Sequence, residues 1–88
     1  MRAEKSILVG GIRGIHGRVA TRLAGIADRY GVRLFLRHDG KTVECSSILD
    51  VLALALVRGA TVGLLAEGPR AESALAAAAD IINDQDEA

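Results

Sequence analysis

His16 lies in a glycine-rich segment, residues 10–18, that directly follows the short apolar run Ile7-Leu8-Val9. A helix is expected to begin there, which would bring the imidazole close to the unpaired backbone N–H groups of the first helical turn, with Arg18 two residues further on. Those N–H groups and the helix dipole favour a bound anion. They also favour the neutral imidazole, the only form that can act as a nucleophile. The residue types and their spacing therefore suit a histidine that accepts a phosphoryl group and passes it on.

The composition narrows the classes of partner. The 88 residues are enough for a single domain, which we assign to residues 1–88. Half of the residues are hydrophobic, but the aromatic ones are only Tyr30 and Phe35, which argues against base stacking on nucleic acid. Eleven basic and eleven acidic residues cancel, so the net charge supports neither a nucleic-acid nor an anionic-membrane partner.

The charged residues are unevenly distributed along the chain. A basic patch near His16 would favour acidic partners, although a run of arginines is also typical of an ordinary solvated face. The arginines of the first half are Arg13, Arg18, Arg22, Arg29, Arg33 and Arg37, and the acidic residues near the end are Asp80, Asp84, Asp86 and Glu87.

Other kinds of site have little support in the sequence. The single cysteine, Cys45, excludes an internal disulfide, is compatible with a reducing compartment, and is expected to be a packed, unreactive thiol. The longest apolar stretch, residues 51–57, is far shorter than the roughly 20 residues that span a bilayer, and no signal-peptide pattern is present. We therefore predict a cytoplasmic protein without membrane insertion. Because His16, His38 and Cys45 lack metal-ligand spacing, we predict no metal and no cofactor, and we expect His38 to be a solvated loop residue.

Hydrophobic periodicity and turn residues divide the chain into seven elements in the order β-α-β-β-α-β-α. This order predicts an α+β fold in which helices cover one face of a small sheet. The elements are a strand over 5–9, a helix over 18–30, a hairpin over 32–45, a helix from 48 to near 59, a strand over 60–66, a helix over 71–82 and a polar tail over 83–88 that is expected to fray.

Short sequence signals mark the ends of these elements. Ser47 and Asp50 match a capping box, which predicts that the Ser47 side chain caps the second helix. The other signals are Gly31 just past the end of the first helix, Asp39-Gly40 as a tight turn, Gly63 as an interruption of the last strand and Pro69 in the first turn of the last helix.

These elements, together with Gly14-Ile15-His16-Gly17-Arg18 after the first strand, resemble HPr, the histidine-containing phosphocarrier of bacterial phosphotransferase systems. The resemblance covers about residues 5–83. Family members usually read Gly-Ile-His-Ala-Arg-Pro-Ala where this chain has residues 14–20, and five of the seven positions match. The turn Asp39-Gly40-Lys41, the pair Ser47-Ile48 and the pair Gly59-Ala60 also match. The resemblance implies an open-faced sandwich, a four-stranded antiparallel sheet covered on one face by three helices.

The resemblance also implies roles for the residues around His16. His16 would accept the phosphoryl group as a phosphohistidine, the Arg18 side chain would help to hold it, and the backbone N–H groups of Gly17 and Arg18 would bind its oxygens. The donor would be enzyme I, charged by phosphoenolpyruvate, and the acceptors would be enzyme IIA-type proteins. The protein would be a monomeric carrier and not an autonomous catalyst.

A second group of implied roles falls on the second helix. Ile48, Leu49 and Leu52 would form the docking surface, although they could be ordinary core, and we expect at least one of them to be buried. Ser47 matches the regulatory serine that a kinase phosphorylates in some bacteria, and a serine kinase or phosphorylase is therefore a further candidate partner. Because the Asp50 carboxylate would repel a phosphate on Ser47, we predict that Ser47 is a poor kinase substrate.

Two positions depart from the family pattern, and two other functions stay open. Gly17 replaces alanine and Val19 replaces proline, so we expect a looser helix start, retained phosphorylation and altered partner preference. The first alternative is an HPr-like regulatory adaptor without phosphoryl transfer. The second is a KH-like nucleic-acid module, because residues 11–14 read Gly-x-x-Gly, but this segment follows a strand and the net charge is zero.

Overall fold

The computed structural model describes residues 1–85, and it contains four strands and three helices in the predicted order. Residues 86–88 of the predicted tail lie outside the described residues. The elements are β1 (Arg2–Leu8), α1 (Gly17–Tyr30), β2 (Arg33–His38), β3 (Lys41–Glu44), α2 (Ile48–Ala53), β4 (Thr61–Glu67) and α3 (Ala71–Asn83).

The four strands form one antiparallel sheet in the spatial order β1-β4-β2-β3. Side chains alternate between its two faces, so Leu34 and Leu36 of β2 and Val62 and Leu64 of β4 are buried on the same side. On this side α3 packs against β1 and β4, α1 against β2, and α2 against β3. The structure therefore confirms the α+β fold with a four-stranded antiparallel sheet and three helices.

Two turns adopt the conformations that their residues predict. Gly31 caps the end of α1 in the left-handed region, at φ 63° and ψ 38°. Asp39 and Gly40 have φ values of 50° and 78°, which is the pattern of a two-residue hairpin turn between β2 and β3.

The second helix is much shorter than predicted. It ends at Ala53 and not near Gly59, because Ala55 adopts a left-handed conformation at φ 52° that an α-helix does not allow. The chain then reverses and carries Leu56 into the core, where it is 4% exposed. The apolar run predicted a continuous helix because its spacing shows burial but not the sign of φ.

The predicted capping box is wrong. Ser47 occupies the N-cap position of α2, but within the described residues its side chain makes no capping hydrogen bond. The Ser47 backbone carbonyl instead accepts the Val51 N–H at 3.1 Å, as in any helix start. The sequence therefore identified the position of the cap but not its chemistry.

Three other local predictions also need correction. Gly63 does not interrupt β4, because it pairs with Ser6 of β1 on one side and with Arg37 of β2 on the other. Pro69 lies before α3, whose N-cap is Arg70. His38 is not a solvated loop residue: it ends β2, and its Nδ1 lies 3.2 Å from a carbonyl oxygen of β4.

Within residues 1–85, no helix is both long and apolar enough to cross a membrane. The same part of the chain contains no group of three or more histidine, cysteine or carboxylate side chains that could hold a metal ion.

Candidate functional site

His16 is the N-cap residue of α1. Its backbone is extended, with φ −98° and ψ −175°, and its carbonyl accepts the Ala20 N–H at 3.0 Å, the first turn of the helix. The Arg18 backbone N–H donates to His16 Nδ1 at 3.3 Å. Because an imidazole nitrogen that accepts a hydrogen bond carries a lone pair, this contact selects the neutral ring with its proton on Nε2.

The two ring nitrogens lie in different surroundings. Nδ1 faces the exposed start of α1, whereas Nε2 is buried and has no hydrogen-bond partner among residues 1–85. A phosphoryl donor arriving from solvent therefore meets Nδ1. The nitrogen that it can reach is also the one that carries the lone pair.

The segment before His16 is the site loop, residues 10–15, and its beginning is attached to the last helix. The Gly10 N–H donates to the Ile82 carbonyl at 3.0 Å, and a β-carbon at Gly10 would collide with the Asn83 carbonyl oxygen. The Asn83 side-chain amide also donates to the Leu8 carbonyl at 3.0 Å, so Asn83 is an anchored helix residue and not part of a frayed tail.

The end of the site loop is attached to the segment after α2. The Ile15 N–H donates to the Leu56 carbonyl at 3.0 Å, and the Ile15 side chain is buried. Gly14 has a φ of +64°, and a β-carbon there would collide with the Leu56 carbonyl oxygen. Only glycine meets both requirements at this position.

The two departures from the family pattern have different structural settings. Gly17 begins α1, and no described atom lies within 4 Å of the position that a β-carbon would occupy. An alanine therefore fits there. Val19 is 2% exposed, so its side chain belongs to the core beneath the site.

The structure separates the three residues predicted to dock partners. Leu49 is 79% exposed, whereas Ile48 and Leu52 are half-buried and pack against the core, so none of the three is fully buried. The sequence analysis missed two exposed aliphatic residues, Ile12 in the site loop and Val57 beside it, which are 68% and 66% exposed. Isolation of Ile12 among glycines was a usable signal. Val57 had been assigned to a helix that ends before it.

The segment that leads into α2 is tightly held. The Cys45 N–H donates to the Leu34 carbonyl at 2.7 Å, and the Cys45 side chain is fully buried. Burial, with a smaller contribution from the Glu44 carboxylate, raises the pKa of the Cys45 thiol to about 12. The thiol is therefore protonated and unreactive at neutral pH, as predicted.

A histidine at a helix start on an open-faced sheet is the arrangement of HPr-type proteins, and comparison with known proteins agrees. A family model described as the phosphorylation site of the HPr component of the phosphotransferase system matches residues 3–84. The chain therefore belongs to the HPr family.

The individual relatives are distant. The HPr-like protein Crh of Halalkalibacterium halodurans is 32% identical over 74 residues, which cover 84% of this chain and 88% of Crh. The crystal structure of the phosphocarrier HPr of Bacillus anthracis is 32% identical, with a TM-score of 0.85, over 92% of this chain and 96% of that one. The solution structure of Crh, the catabolite repression HPr of Bacillus subtilis, is 29% identical, with a TM-score of 0.70, over 94% and 99%. The chain is thus a divergent member that resembles both branches.

Proposed function

We propose that this protein is a phosphoryl carrier in which His16 Nδ1 accepts a phosphoryl group from phosphorylated enzyme I and passes it to an enzyme IIA-type protein. The observation that carries the proposal is the orientation of the ring: Nδ1 faces the exposed helix start with its lone pair, and Nε2 is buried. The HPr family supplies the expected partners.

The proposed transfer is a single displacement at phosphorus. The Nδ1 lone pair forms the new N–P bond while the bond between phosphorus and the donor atom breaks. The Arg18 N–H, which donates to Nδ1 beforehand, then lies beside the phosphoryl oxygens, together with the Gly17 N–H and the Arg18 guanidinium. Each such helix-start interaction contributes only about 0.3–1 kcal/mol at an exposed site, so the phosphoryl group stays transferable.

The direct test is incubation with phosphoenolpyruvate and a cognate enzyme I, followed by intact mass measurement. We expect one acid-labile phosphate on the parent protein, none on His16→Ala, and one on His38→Ala, the matched control at the other histidine. A well-characterised HPr in a parallel reaction shows that the donor is active. Absence of phosphate from the parent in that setting would overturn the phosphoryl carrier.

The second part of the proposal concerns partner docking. We place the docking surface on Leu49, supported from below by Ile48 and Leu52. Leu49→Asp should raise the KM for transfer from enzyme I about tenfold while leaving folding intact, because the side chain is exposed. Ala76→Asp, an exposed site on α3, is the control. An unchanged KM in Leu49→Asp would remove this helix from the interface.

The third part concerns Ser47. A phosphate on this side chain would lie near Asp50, the acidic residue in the first turn of α2. We therefore expect slow modification by an HPr serine kinase and ATP, and faster modification of Asp50→Asn, because the like-charge repulsion is removed. Intact mass over time measures both. Rapid stoichiometric phosphorylation of the parent would contradict the proposal.

An HPr-like regulatory protein is the second candidate, favoured by the 32% identity to Crh. In that case partner binding would be equal for the parent and His16→Ala, and no phosphate would be transferred. For either function we propose a monomer that works in the cytoplasm, and light scattering on the purified protein tests the oligomeric state.

A further inference from the structure

Ala55 holds a backbone conformation that an L-alanine rarely adopts. Its φ is 52°, and in residues 1–85 the only other non-glycine residue with positive φ is Asp39, in the hairpin turn. Aspartate tolerates this region because its side chain can bond locally, and alanine has no such group. The surrounding structure must therefore hold Ala55 there.

This conformation decides where the chain goes after α2. The Ala55 N–H still donates to the Leu52 carbonyl at 3.0 Å, and the backbone then reverses. The next residue, Leu56, inserts its side chain into the core while its carbonyl oxygen accepts the Ile15 N–H at 3.0 Å. The φ of Ala55 thus aims the carbonyl that anchors the residue before His16.

The imidazole depends on this anchor more than most functional histidines do. A histidine is commonly oriented by a hydrogen bond on the nitrogen that does not react. In residues 1–85 His16 Nε2 makes no such bond. The ring direction is therefore set by the backbone on its two sides, Ile15 held by Leu56 before it and the Arg18 N–H after it.

We propose that Ala55 is a positioning residue for His16: its left-handed conformation aims the Leu56 carbonyl at the Ile15 N–H and thereby sets the direction of the imidazole. The effect on transfer rests on the proposed phosphoryl carrier, but the effect on geometry does not. Ala55 is exposed, so its replacement changes the backbone preference without a clash in the core.

The experiment compares two replacements that act in opposite directions. Ala55→Val disfavours positive φ more strongly than alanine, and Ala55→Gly removes the strain. Ala76→Val, at an exposed position in α3, is the control for a general loss of stability. Three quantities are measured: exchange of the Ile15 amide relative to the buried Cys45 amide, the nitrogen-15 shifts of the His16 ring, and the rate of phosphorylation by enzyme I.

We expect Ala55→Val to exchange the Ile15 amide at least about tenfold faster, to shift the His16 ring signals and to slow phosphorylation at least about tenfold. Ala55→Gly should slow Ile15 exchange about two- to fivefold, without loss of phosphorylation rate. Ala76→Val should leave all three quantities as in the parent.

The outcomes separate the two proposals. Unchanged Ile15 exchange and unchanged His16 shifts in the valine variant would show that Ala55 is only a turn residue. If that variant does not fold, the glycine variant decides, because Ile15 exchange equal to the parent's would overturn the positioning role. If an active enzyme I phosphorylates none of the proteins, the carrier function fails, while the exchange and the ring shifts still test the positioning.

Discussion

The starts of α1 and α2 use their first side chains in opposite ways. At α1 the N-cap is His16, an uncommon capping residue, and its Nδ1 accepts the Arg18 N–H. At α2 the N-cap is Ser47, a favoured capping residue, and in the part of the chain that the structure describes its side chain makes no capping bond. Capping preference alone would have assigned the bond to the wrong residue.

The two starts also differ in what an anion would meet. The first turn of α1 contains Arg18 and no acidic residue, and the helix continues for 14 residues. The first turn of α2 contains Asp50, and that helix has six residues. The first start therefore attracts a phosphoryl group, and the second repels one. Two phosphate positions on one small domain can thus have opposite electrostatics.

The largest effect expected from this comparison is an all-or-none difference in phosphate uptake. His16→Ala should abolish transfer from enzyme I because it removes the nucleophile, whereas Ser47→Ala should leave the transferred amount unchanged. Intact mass after acid treatment and at neutral pH distinguishes phosphohistidine from phosphoserine. Acid-stable phosphate on the parent would break the comparison.

The next largest effect is expected where the site loop meets Leu56. Gly14→Ala combines a left-handed conformation with a collision against the Leu56 carbonyl, so it should lower the free energy of unfolding by about 2–4 kcal/mol. Urea denaturation measures it. A loss under about 1 kcal/mol would mean that the loop can move away from Leu56 at little cost.

The matched glycine replacement should act in the other direction. At Gly17 an added β-carbon has open space among the described residues, and the residue is helical. Gly17→Ala should therefore raise the free energy of unfolding by about 0.5–1 kcal/mol and retain phosphorylation. A destabilised variant would show that the start of α1 requires flexibility.

The smallest effect is expected at Ser47. Replacing a capping serine by alanine usually costs about 0.5–2 kcal/mol, and here no capping bond is lost. Ser47→Ala should therefore change the free energy of unfolding by less than about 0.5 kcal/mol. A cost above about 1 kcal/mol would show that Ser47 caps α2 in solution and would make the two starts alike.

The sequence was sufficient for the element order and for His16, because burial produces regular spacings and because a histidine between glycines at a helix start has few structural reasons. It was not sufficient for the end of α2. Leu, Ala and Val alternate there in a helical pattern, and the positive φ of Ala55 is imposed by tertiary contacts that no local preference announces. Val57 was missed as an exposed residue for the same reason.

The anchoring of the site loop has a consequence for protein synthesis. One end of the loop is tied to Ile82 and the other to Leu56, so neither the early nor the middle part of the chain can hold His16 in place alone. On the ribosome, the nucleophile is therefore oriented only after α3 has left the exit tunnel. A truncated or half-translated copy would display the histidine without its geometry, and so would compete poorly for the phosphoryl donor.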